Sequence, residues 1–213
     1  MNALSTNVIA EARFERIGGS ACLDLANTLG GLRGRGTTEE MPWFAELLAF
    51  SHEAGLVSDA AAARLEREAA RRPSEAAAAY VRATALREAI HGIFSAIAAG
   101  RPAPERDLAL LNAELARTLP RARILSGNGG FAWGWAEPEA ALDAMLGPLA
   151  RSAAELLASD ELERVRECAG DSCGWLFLDT SRNRSRRWCD MKLCGNRAKV
   201  RRFRRARDER AGA

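Results

Sequence analysis

The chain has 213 residues, 47% hydrophobic and 28% charged, enough apolar content to bury a core in one or two domains and too much for general disorder. Its start has no basic stretch followed by an apolar one, and no window approaches the ~20 uncharged apolar residues of a membrane span, so a cytoplasmic protein is expected. The net charge of +3 hides a division: residues 160–213 carry 15 Lys/Arg against 9 Asp/Glu, or +6, and the remainder is −3.

The first two-thirds reads as a series of amphipathic helices. In SACLDLANTLGG, Ser20 is an N-cap candidate and Gly30 a stop; Cys22, Leu25, Ala26 and Leu29 share one face, and Asp24, Asn27 and Thr28 the opposite one. A second helix is expected to begin with a Thr37/Glu40 capping box, to bury Phe44, Leu47 and Leu48, and to end near Gly55. A third runs from Ser58 to about Arg71, where Pro73 breaks it. The longest has Ser74 as its cap, buries Leu86, Ile90, Ile93, Phe94 and Ile97, and stops at Gly100 and Pro102. PERDLALLNAELARTL comes next, with Leu108, Leu111 and Leu115 on one face.

The period then changes. RARILSGNGGFAWGWAE alternates around Asn128-Gly129, a type I′ turn signal, and predicts a β-hairpin with Trp133 and Trp135 on its second strand. A further helix is expected from about Pro138 to Leu157, bent at Gly147-Pro148, and ASDELERV reads as the link into the cysteine-bearing module.

Four of the five cysteines form C-x4-C-x15-C-x4-C: Cys168, Cys173, Cys189 and Cys194. Gly170, Asp171 and Ser172 lie inside the first pair, and Gly195 and Asn196 come directly after the second, so each pair sits in turn chemistry. Buried free thiols, the competing reading, belong on apolar helix faces, as Cys22 is. Two close pairs converging as four thiolates suit Zn²⁺, ahead of an iron–sulfur cluster. With every position filled by protein, the metal is structural. GWLFLD reads as a short strand leaving the first knuckle, and the segment after Gly195 lacks Gly and Pro until Gly212, so it can be helical.

The segment from Cys168 to Arg207 resembles the CGNR zinc finger, named for Cys194, Gly195, Asn196 and Arg197; Phe177, Asp179, Ser181, RRWC and Met191 also fit that pattern. The front, through CLDLANTLGGLRGRG and EAGL, is similar to the ABATE-type domain that usually precedes this finger. The resemblance implies a bacterial stress-induced transcription regulator whose finger binds DNA. The fold expected is mainly α (α+β): a helical domain over 1–159 with one hairpin, then, over 160–213, a treble-clef-like Zn(Cys)₄ finger with a basic C-terminal helix.

From Arg182 to Arg207 there are twelve basic residues against one acid, Asp190. The candidate nucleic-acid contacts are Arg184, Arg186, Arg187, Arg197, Lys199, Arg201, Arg204 and Arg205. On a helix, Val200, Phe203 and Ala206 form a stripe expected to pack back on the knuckles, Trp175 or Trp188. Arginine's fork suits phosphate and guanine edges, whereas a solubilising face would mix Lys with Glu. Duplex DNA and RNA both remain open, because Trp175, Trp188 and Phe203 could stack on unpaired bases. An adaptor docking an acidic partner is a further alternative. Dimerisation through the front domain would supply two DNA half-sites.

No catalytic constellation emerges, and no enzyme is expected. His52 and His91 lack a matched nucleophile, and GGLRGRG lacks the Gly-Lys-Ser/Thr ending of a phosphate loop. Asp24, Asn27 and Thr28, with Arg33 or Arg35 beyond, admit two readings: a pocket for a small-molecule effector, or capping and inter-helix hydrogen bonds. A hydrolase acting through Asp24 comes last.

Overall fold

A computed structural model of the chain describes residues 13–32, 35–127, 129–136 and 141–211, with only the backbone of 35, 127, 205, 206 and 208–211. It is mainly helical, with three two-stranded antiparallel sheets among the described residues. The order is α1 (Ala21–Asn27), β1 (Leu29–Leu32), β2 (Arg35–Glu39), α2 (Phe44–Glu53), α3 (Asp59–Arg71), α4 (Pro73–Ala98), α5 (Glu105–Thr118), β3 (Ala122–Gly127), β4 (Gly130–Trp135), α6 (Leu146–Leu157), β5 (Val165–Glu167), β6 (Leu176–Leu178) and α7 (Asn196–Ala211).

Helix α4 is the axis of the core. Leu86, Ile90, Ile93 and Phe94 recur at helical spacing and are fully buried against α1, α2, α5 and α6, each contributing about 1.5–3 kcal/mol of transfer free energy. Pro73 occupies the first position of α4, where its missing N–H costs nothing, so Arg72 and not Ser74 is the cap residue. Polar pairs fasten the periphery: Arg82 meets Glu114 at 2.5 Å and Asp143 at 2.9 Å, and Arg121 meets the same Asp143 at 3.1 Å. The expected hairpin is β3–β4, with Trp133 and Trp135 on its second strand, Ile124 opposite Trp133 and Leu125 opposite Ala132; Asn128 of its turn lies outside the described residues.

Three boundaries differ from expectation. Helix α1 ends at Asn27, and the next residues enter an additional hairpin, β1–β2. Gly31 adopts φ +85°, and a Cβ there would lie 2.5 Å from the Gly36 carbonyl oxygen, so close backbone approach turns this glycine-rich stretch into a bulged hairpin. Thr37 is thereby taken into β2 and cannot cap α2, which starts only after Pro42. Helix α6 begins at Leu146, so Pro148 lies in its first turn and no bend results. The expected start near Pro138 falls outside the described residues.

The pair β5–β6 carries the first cysteine knuckle between its strands and packs directly on the front helices. Val165, Leu176 and Leu178 are buried in the same core as α1, α4 and α6. Among the described residues, no helix is long and apolar enough to cross a membrane.

Candidate metal centre and basic helix

The four sulfurs of Cys168, Cys173, Cys189 and Cys194 lie within 4.8 Å of one another. Four thiolates about 2.3 Å from a tetrahedral ion sit about 3.8 Å apart; Cys173 and Cys189 are 3.5 Å apart, and Cys189 and Cys194 3.7 Å. Donor number, donor type and spacing thus fit Zn²⁺. Such an ion would be held by these four residues and would supply cross-linking, with no coordination position left for substrate.

Local hydrogen bonds shape both knuckles. Cys168 donates its N–H to the Trp175 carbonyl at 2.8 Å, Cys173 to Gly170 at 3.1 Å, and Ala169 to Arg187 at 2.9 Å. A Cβ on Gly170 would lie 3.4 Å from the Cys194 sulfur and 3.5 Å from that of Cys168, so the first knuckle wraps closely around the cluster. In the second, Asp190 accepts the Leu193 N–H at 2.7 Å, and a wide turn closes with the Gly195 N–H on the Asp190 carbonyl at 3.1 Å. Gly195 leaves room for the Met191 sulfur, which would stand 2.5 Å from a Cβ, and Asn196 donates to the Lys192 carbonyl at 2.9 Å. Cys-Gly-Asn-Arg is therefore a ligand, a clearance, a turn brace and an outward-facing guanidinium.

Thiols this crowded do not ionise independently. Hydrogen bonds from the Cys173 and Cys189 thiols hold Cys168 far below the ordinary thiol range, and the thiolate so formed pushes Cys173 and Cys189 up. A divalent cation reverses that competition by favouring all four thiolates at once. Cys22 is different: fully buried in the core, its thiol is pushed up to about 11 by burial.

Asp179 anchors the loop between β6 and the second knuckle. Fully buried, it accepts the Ser181 N–H at 2.9 Å, the Ser181 hydroxyl at 2.5 Å and the Arg186 N–H at 2.9 Å. Burial works against its charge, but these donors prevail and hold the carboxyl below its usual range.

This set of interactions, a closed tetrathiolate cluster on a hairpin continuous with a helical core, coincides with two family models. One, described as "Putative stress-induced transcription regulator" and named ABATE, matches residues 19–160; the other, the CGNR zinc finger, matches 164–207. The chain belongs to the ABATE family. No curated protein matches the sequence closely enough to be compared with it.

The expected nucleic-acid residues divide into two sets. Arg186 is turned inward: its guanidinium donates to the carbonyls of Trp188, at 2.9 Å, and Cys189, and lies 4.4 Å from the Phe177 ring centroid. Arg201 pairs with Asp171 of the first knuckle at 3.0 Å, and Arg184, at φ +48°, with Glu163 at 2.5 Å. Arg187 is exposed and lies against the Trp188 ring, while Arg197, Lys199 and Arg204 are exposed on α7. The side chain of Arg205 lies outside the described residues.

Two of the three residues of the stripe expected to pack inward do not, and the side chain of the third, Ala206, lies outside the described residues. Val200 is 49% and Phe203 72% exposed, because Ala198 and Arg201 occupy the side of α7 nearer the first knuckle. Trp175 and Trp188 pack against the cysteine cluster without them.

The residues considered for an effector pocket are occupied internally. Asp24 accepts the Gly18 N–H at 2.7 Å, Thr28 donates to the Leu25 carbonyl at 2.7 Å and lies 3.3 Å from Arg87, and Asn27 binds the main chain of Leu176. All three are buried, so hydrogen bonding accounts for them; Arg33 lies outside the described residues. His91, read as a helix histidine without a role, contacts the Gly174 carbonyl at 3.2 Å and joins α4 to the finger.

Proposed function

We propose that this protein is a cytoplasmic DNA-binding transcription regulator acting in the stress response its family description names. The observation that carries the reading is α7: a helix rising from the metal knuckle with Arg197, Lys199, Arg202 and Arg204 exposed and no acid from its start to Arg207. A helix about 10–12 Å across fits the major groove of B-DNA, and guanidinium groups meet phosphates and base edges there. The two knuckles fix the direction in which the helix leaves, and the β5–β6 contacts fix the finger to the front domain. Binding of the DNA backbone then needs little ordering of the protein.

The experiment is titration of the zinc-loaded chain against fluorescent duplex DNA at several salt concentrations, with structured RNA as competitor. About five phosphate contacts give a log–log salt slope near −4.5. Preferential displacement by RNA, or the absence of salt-sensitive binding, would remove the reading.

A further inference from the structure

A strongly basic helix has little physical reason to expose large apolar side chains unless its partner offers apolar surface too. Val200 and Phe203 are among the most exposed large hydrophobics of the finger. Successive residues of a helix are about 100° apart, so Arg197, Val200, Phe203 and Arg204 fall on one face. Val200 and Phe203 stand about 100° and 160° around the helix from Arg201, whose contact with Asp171 ties α7 to the first knuckle, while Arg197 and Arg204 lie between them and Arg201. The helix therefore presents guanidinium groups interleaved with an aliphatic and an aromatic side chain.

Charge selects the occupant. A protein partner with an apolar groove would meet Arg197 and Arg204 at the rim of the same face, whereas nucleic acid supplies phosphates for them. Within duplex DNA, the major groove has one apolar group on its base edges, the C5-methyl of thymine. We infer that Val200 and Phe203 read thymine methyl groups, giving the finger a preference for A·T-containing duplex. The inference rests on the DNA-binding reading and adds the feature of the base pairs that is recognised. Arg197 and Arg204, one turn to either side of Val200, hold the helix against the sugar–phosphate walls. Neither apolar residue is needed for folding, since both stand in solvent.

The test compares two alternating copolymer duplexes, poly(dA-dT) and poly(dA-dU), which differ only in the methyl group. The zinc-loaded wild-type chain should bind the thymine polymer more tightly, by about fourfold for each methyl group buried. Val200→Ala with Phe203→Ala should remove the difference while leaving the salt slope and zinc content unchanged; Phe203→Leu should retain part of it. Equal wild-type affinities for the two duplexes would overturn the inference and leave the DNA reading standing. Loss of salt-sensitive binding to both would overturn the DNA reading itself. Tighter binding to unpaired poly(U), abolished by Phe203→Ala, would overturn the inference by assigning the ring to base stacking.

Discussion

The side-chain amide of Asn27 holds both main-chain groups of Leu176: its Nδ2 donates to the carbonyl at 2.9 Å, and its Oδ1 accepts the N–H at 2.8 Å. One side chain of α1 thus imitates a neighbouring strand and completes the edge of β6. Two further bonds run alongside it, Leu178 N–H to the Gly18 carbonyl at 2.8 Å and Ser95 to Glu167 at 2.5 Å. The finger is consequently no bead on a linker; its hairpin is part of the wall of the front domain's core.

Substituting Asn27→Leu keeps the volume but leaves a buried N–H and a buried carbonyl without partners. Each unsatisfied group costs about 1–3 kcal/mol, so the variant should lose about 2–6 kcal/mol of stability. Thermal and urea unfolding read the loss directly, and zinc content should remain stoichiometric. An unchanged Tm would mean that the amide clamp contributes nothing.

Removing the metal should weaken the whole molecule. Structural zinc contributes about 10–16 kcal/mol in small finger peptides, and Leu176 and Leu178 lie in the common core while Cys173 and Cys189, before and after that strand in the chain, lie in the metal cluster. Chelation under reducing conditions, or Cys194→Ser, is therefore expected to lower the melting temperature of the front helices together with loss of order in α7. Calorimetry with elemental analysis checks both. Front helices that melt at their original temperature after zinc loss would show that the two parts are energetically separate.

The sequence is legible where its information is local. The cysteine spacing, the start of the third helix at Ser58, whose side chain accepts the Ala61 N–H at 3.3 Å, and the hairpin with its Trp133 are short-range signals, and the structure carries each of them. For Asn27 the sequence offers a pocket or a hydrogen-bonding role without its partner, because that partner is 149 positions away. The same holds for Arg87, which is buried and makes two 2.7 Å bonds to Glu39, pinning β2 to α4. Hairpin β1–β2 was hidden because its glycines and threonines also suit a helix stop and a cap. At Val200 and Phe203 helical periodicity identified a stripe correctly but could not say which side faced solvent.

Acid should stabilise the fold through Asp24. Burial pushes its carboxyl up to about 6 against the Gly18 N–H and the Arg16 charge, from an ordinary value of 3.8. The folded chain therefore takes up a proton that the unfolded chain does not between about pH 4 and 6. The stabilisation is full below that window and is lost as the pH rises through it. Asp24→Asn keeps an acceptor for Gly18 without the charge. It should exceed wild type by about 3 kcal/mol at pH 7 and come close to it near pH 4. Parallel urea midpoints for the two proteins across that range would contradict the assignment.

Two groups of arginines should separate in a pair of assays. Arg186 braces the second knuckle through the Trp188 and Cys189 carbonyls and covers Phe177, whereas Arg197 and Arg204 are exposed on α7. Arg186→Ala leaves those carbonyls without their donor and uncovers an aromatic ring, so it should lower stability by about 1–3 kcal/mol and weaken zinc retention. Arg197→Ala with Arg204→Ala should leave the melting temperature within about a degree of wild type. The same pair should make the salt slope of DNA binding shallower by about 1.8, the value for two lost phosphate contacts. A melting curve and a salt titration on each protein decide the matter: if the exposed pair destabilises the fold, or Arg186→Ala changes the slope without changing stability, the division of labour between knuckle and helix is wrong.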